Sequence, residues 1–187
     1  MDTRTNQMLK STTTYGLALG VIVVIYSLLL FLLDIMPIGI MKPFILTIVS
    51  IAIYFVGILM FSKKVSKDIY GGEVTFQQGL LIGILIGFFA AIITSAYSYL
   101  QNVIIDPDYM NRYINAQSEW MANYMSSKGL PGDQVETVLE GLDAARDTKI
   151  TFGTYINSVL LSTLGFGVIS LITAAIIRKR KTSPFEG

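Results

Sequence analysis

Few side chains in this 187-residue chain could do chemistry, and most of those are carboxylates. Asp106 and Asp108 flank Pro107 at the end of a long apolar run. Two carboxylates so placed could hold a divalent cation or act on a substrate at a membrane surface. The simpler expectation is a helix stop, with Asp108 as N-cap of the helix that follows. Glu136, Glu140, Asp143 and Asp147 recur every three or four residues, which strings them along one solvated helix face and does not resemble a calcium loop. The chain has no Cys and no His, so disulfides, thiolate nucleophiles and the usual zinc sites are excluded. No Walker motif, dinucleotide fingerprint or nucleophile elbow is present. No catalytic residue, cofactor site or metal site is expected, the chain reads as a non-enzyme, and no nucleic-acid partner is expected.

The elements that would position these groups are membrane spans. The composition is 52% hydrophobic and 14% charged, and the mean hydropathy is +0.59. These values indicate an integral membrane protein. Uncharged runs predict four spans at 15–33, 44–62, 76–104 and 155–177. The first run is longer than the apolar region of a secretory signal and lacks a small-residue cleavage site, so it is expected to remain as a span. Pro37, Gly39 and Pro43 break the chain between the first two spans, Gly71 and Gly72 turn it after the second, and Thr75 is the expected N-cap of the third. Asp106 before Pro107 ends that span. No ionisable residue lies deep in a span, which argues against coupled ion pumping. Asn157, near one end of the fourth span, is expected to bond another helix.

Small residues recur every fourth position in the third span, at Gly79, Gly83, Gly87, Ala91 and Ser95. They place a bare stripe on one helix face, where another backbone can approach closely. Packing within the bundle is the favoured role, ahead of a pore or an oligomer interface. Gly16 and Gly20 repeat the spacing in the first span, and Thr163, Gly167, Ser170 and Ala174 form a second stripe in the fourth. Depth matching predicts that the third and fourth spans pack antiparallel, with Gly87 on Gly167 and with Tyr99 and Tyr155 at the same boundary.

The polar insert at 106–153 has helical periodicity. Tyr109, Met110, Tyr113, Ile114, Trp120, Met121, Tyr124 and Met125 share one arc, interrupted only by Gln117. Tyr109, Met110, Tyr113, Trp120, Met121, Tyr124 and Met125 are expected to face lipid or a protein partner. A second helix follows Gly129 and Pro131-Gly132. It opens on a capping box of Asp133 and Glu136, with Val135, Val138, Leu139, Leu142 and Ala145 on its apolar face. Together they read as an amphipathic helical hairpin.

Four spans put both termini on one side. That side would hold nine of the fourteen basic residues and four acids; the other would hold five basic residues and nine acids. The positive-inside rule therefore places both termini in the cytoplasm and residues 106–153 outside it. Arg178, Lys179, Arg180 and Lys181 serve as a topology anchor in this scheme.

The run Gly71-Gly72-Glu73-Val74-Thr75-Phe76 leading into Gly79, with Asp106-Pro107-Asp108-Tyr109, resembles an uncharacterised family of small four-span bacterial inner-membrane proteins, defined only as a domain of unknown function. The resemblance covers most of the chain. It implies four spans and a membrane location, and supplies no activity and no catalytic residue. The expected architecture is therefore all-α: an integral membrane four-helix bundle with an extracytoplasmic amphipathic helical hairpin between spans 3 and 4. The expected surroundings are the lipid bilayer together with a protein partner or a homo-oligomer. The expected role is an accessory or scaffold subunit of an envelope assembly. The competing role is a small transporter or channel for a neutral or lipidic solute.

Overall fold

The computed structural model describes residues 3–144 and 151–179. Ala145 and Asp147, singled out above, lie outside the described residues, as do Arg180, Lys181 and the rest of the C-terminal tail. Among the described residues the chain is all-helical, without strands: α1 (Thr3–Leu32), α2 (Met41–Tyr70), α3 (Phe76–Leu100), a π-helical turn (Gln101–Ile105), α4 (Tyr109–Ser127), α5 (Gly132–Ala144) and α6 (Phe152–Ile177). Four helices are long and apolar enough to cross a membrane: α1, α2, α3 with its π-helical extension, and α6. The molecule is a multi-pass membrane protein.

The helices overrun the apolar runs that announce them. α1 starts at Thr3, and α2 continues through Lys63, Lys64 and Lys67 to Tyr70. In the polar part of α1, the hydroxyls of Thr12, Thr13 and Thr14 donate back to the carbonyls of Met8, Leu9 and Lys10. Backbone bonding can thus extend where hydrophobicity has already ended. Thr75 caps α3 as expected: its side chain accepts from the Gln78 N–H, and the Gln78 side chain accepts from the Thr75 N–H. Thr151 and Thr154 form the same reciprocal pair at the start of α6. Gly71 closes α2 in the left-handed conformation, at φ 64°. Two expected caps differ. Asp108 precedes α4 but makes no side-chain cap bond. Asp133 lies inside the first turn of α5, because that helix begins at Gly132; there its charge meets the positive end of the helix dipole.

α3 is the axis of the bundle, packed along α6 on one flank and α1 on the other. The α3–α6 seam is antiparallel and advances four residues at a time. A Cβ at Gly79 would lie 3.3 Å from Ala174 Cα, one at Gly83 would lie 2.7 Å from Ser170 Oγ, and one at Gly87 would lie 2.6 Å from Phe166 Cβ. Tyr99 and Tyr155 meet farther along the same seam, ring centroids 6.5 Å apart. The expected contact at Gly167 is displaced by one residue. Phe166 takes the place opposite Gly87, and Gly167 faces open space. One residue turns a helix by about 100°, so matched depth did not fix which side of α6 faces inward.

The α1–α3 seam is parallel. A Cβ at Gly16 would lie 2.7 Å from the Ile86 carbonyl oxygen, and one at Gly20 would lie 3.1 Å from that of Ala90. Backbone meets backbone at both sites. α2 touches α1, α3 and α6 more thinly, through Leu19 against Gly57, a Tyr15–Phe61 stack at 5.1 Å and a Tyr54–Phe166 contact at 4.5 Å.

Gly16→Ala is expected to destabilise the bundle by about 1–3 kcal/mol through overpacking against a backbone that cannot yield. Gly167→Ala is expected to be neutral or to stabilise by up to about 1 kcal/mol, because it raises helix propensity in open space. Thermal unfolding in mild detergent separates the two. Equal destabilisation by both substitutions contradicts the seams described here.

Candidate functional site

Polar side chains on four elements face one space. On α2, Thr47, Ser50 and Tyr54 follow each other at helical spacing; α1 contributes Ser27, α6 contributes Ser162, and the π-helical turn contributes Gln101. With Tyr109 and Tyr113 of α4 they line a cleft of about 970 Å³ between α1, α2 and α6. Leu30, Phe31, Leu46, Ile51, Phe166 and Ile169 supply much of its apolar wall. No lining residue carries a charge. The volume lies near the top of the about 300–1,000 Å³ usual for ligand sites.

Local structure explains the α4 end of the cleft. Asp106 N–H donates to the Gln101 carbonyl five residues back, at 2.8 Å, which makes the π-helical turn. Asp106 itself leaves the helical region, at φ −146° and ψ 79°, as a residue before proline is pushed to do. α4 then lies against the connection between α1 and α2. Gly39 N–H donates to Gln117 Oε1 at 2.8 Å. Trp120 packs on Gly39, where a Cβ would lie 3.0 Å from the indole, and Gly39 holds a φ of 85° that favours glycine. Tyr109 meets Phe31 of α1 at 6.3 Å.

The face expected to meet lipid or a partner is thus covered in large part by the chain itself. Tyr109 and Tyr113 turn into the cleft, Ile114 and Met125 are buried, and Met121 is half-buried. Trp120 stacks on Tyr124 at 4.9 Å. Met110 and Tyr124 stay open, 37% and 38% exposed. Gln117, which looked like an interruption of the arc, is the side chain that ties α4 to the bundle. In the stripe of α3, Gly79, Gly83, Gly87, Ala91 and Ser95 are all buried, on the α6 side where their contacts are resolved. Asn157 is exposed, and among the described residues no hydrogen bond from it to another helix is found.

The carboxylate pair at Asp106 and Asp108 does not converge on a cation site. Arg112 forms an ion pair with Asp106, and no group of three or more potential metal ligands is found among the described residues. Burial raises the Tyr109 hydroxyl above its ordinary pKa; Tyr113, Asp106 and Asp34 push the same way, against Arg112. The polar residues inside the spans were the part that sequence reading passed over. Their signal was Thr47, Ser50 and Tyr54 on one face of span 2.

Two outcomes follow for α4. Gln117→Ala leaves the Gly39 N–H without its partner, so amide exchange at residues 36–40 should quicken while the melting temperature of the spans changes little. Unchanged exchange would mean that Gln117 does not hold α4. A raised folded pKa stabilises the neutral tyrosine; that contribution is complete below about pH 10 and is lost as pH rises through the folded value. Stability measured by thermal unfolding should fall less steeply above pH 10 in Tyr109→Phe than in the parent chain.

Residues 14–179 match the model of a family described as a protein of unknown function, DUF4199. No curated protein and no solved structure matches the chain. Since the match covers most of the sequence, from within the first span to the basic residues after the last, the chain belongs to the DUF4199 family.

Proposed function

We propose that this protein is a non-enzymatic accessory subunit that holds an uncharged, lipidic solute in the cleft between α2 and α6. The observation that carries this reading is the lining: an apolar wall with hydroxyl and amide groups, and no charge, in about 970 Å³. A charged ligand would leave water for a site with no counter-ion, at a cost of several kcal/mol. A neutral amphiphile can lay its chain on Leu30, Leu46 and Ile51 and bond its polar part to Gln101, Tyr109 or Tyr113. The seams of α3 are made of Gly, Ala, Ser, Ile and Phe. This composition supports holding a solute over conducting one.

In this reading the protein sits in a bacterial inner membrane with both termini in the cytoplasm. Residues 106–153 form a helical hairpin on the outer side, as the charge distribution favours. The cleft then lies toward the outer leaflet. A scaffold role within an envelope assembly keeps one supporting observation: Met110 and Tyr124 remain exposed at the α4 end, where a partner subunit or a second copy can reach them.

A photoreactive diacylglycerol analogue in liposomes tests the reading. Labelling should map to peptides of α2 and α6, and Ser50→Trp or Ser162→Trp should reduce it about tenfold by filling the cleft. Leu164→Trp, on the lipid-facing side of α6, should not. Equal labelling of all three variants would overturn the proposal.

A further inference from the structure

A second cavity, of about 640 Å³, opens at the other end of the bundle and differs in chemistry. Arg4 at the start of α1 lines it, together with Arg178 and Lys179 just past the end of α6. Glu73, Thr75 and Gln78 add polar groups, and Ile69, Val74 and Phe76 add apolar surface. Three cations face one carboxylate. The basic residues are held there by the fold: Lys179 N–H donates to the Val74 carbonyl at 3.2 Å, which pins the end of α6 to the turn before α3. Tyr70, also in the lining, donates to Met8 Sδ at 3.4 Å and fixes the end of α2 against α1. Among the described residues, none of the three cations forms a salt bridge, and the ion pair present is Arg112 with Asp106 at the opposite end.

Cations gathered from two helix ends, without counter-charge to match, form a site for an anion. The first turn of α3 lies in the same cavity, with its dipole positive toward it. We infer that this cavity binds the phosphate group of an anionic membrane lipid. Phosphate suits two guanidinium groups, which can each offer paired donors, and an ammonium beside them. The lipid source follows from position: the cavity lies where the four long helices end, and Ile69 and Phe76 supply apolar contact beside the charges, which a free phosphate ion would not use. The site is separate from the uncharged cleft and does not depend on its occupant.

Native mass spectrometry of the full chain in mild detergent tests the inference, with phosphatidylglycerol, phosphatidylcholine and inorganic phosphate as probes. The parent chain should retain phosphatidylglycerol in preference to phosphatidylcholine. Each of Arg4→Gln, Arg178→Gln and Lys179→Gln should weaken retention about fivefold, and the triple variant on the order of a hundredfold. Glu73→Gln removes the opposing charge and should strengthen retention. Lys63→Gln with Lys64→Gln, at the same membrane face and outside the cavity, should leave it unchanged. Equal loss in that control would reduce the effect to general surface charge and overturn the site. Retention unchanged in the triple variant would overturn it too. Displacement of the lipid by millimolar inorganic phosphate, with binding of phosphate itself, would reassign the site to the free ion and overturn the lipid assignment.

Discussion

Close approach of backbones along both flanks of α3 is the contact on which the molecule depends. Inside a bilayer, apolar side chains gain little by leaving lipid for protein, so helices associate through dispersion, polar contacts and fit. Gly79, Gly83 and Gly87 remove side-chain bulk on the α6 side. On the α1 side the roles reverse: α1 supplies Gly16 and Gly20, and α3 presents the Ile86 and Ala90 carbonyls. The close approach adds dispersion contact along both seams. One helix therefore organises two neighbours, one antiparallel and one parallel.

That arrangement leaves α2 outside the tightest packing, and the cleft is the consequence. α2 is anchored by Gly57 on Leu19, by the Tyr15–Phe61 stack and by Tyr54 on Phe166, and much of its apolar surface is exposed. Between those anchors and its start at Met41, it stands off from α6. The gap is roofed by the 34–40 connection and α4, joined at Gly39 by Gln117 and Trp120. An amphipathic helix thereby contributes Tyr109 and Tyr113 to one end of the cleft.

Spacing made much of this legible, and azimuth made some of it illegible. The four-residue repeats at Gly79–Ser95 and at Gly16 and Gly20 identified helix-packing faces, and the turn and cap residues Gly71 and Thr75 marked element boundaries. The family resemblance read from residues 71–79 and 106–109 agrees with the family match. Gly167 shows the limit: depth in the membrane can be counted from sequence, but the rotation of α6 depends on which of two adjacent residues fills the space beside Gly87. Phe166 fills it with a ring that also reaches Tyr54, so a large residue won the seam position over a small one. The α4 face shows a related limit. Periodicity identifies an apolar arc, but says nothing about what covers it, and the Gln117–Gly39 bond spans 78 residues of sequence.

Phe166 also ties the seam to the cleft. Its Cβ and the near side of its ring stand beside the bare backbone of Gly87, and the same residue lines the cleft and meets Tyr54. The closeness of α3 and α6 therefore sets how far that ring projects toward α2, and so the width of the cleft at this depth. The glycine at 87 is needed for more than helix association: any side chain there would push α6 away and carry the cleft wall with it. In this fold the cavity is shaped by the packing that surrounds it, and the small-residue stripe, which carries no chemistry, decides where the polar groups of α2 and α6 can stand.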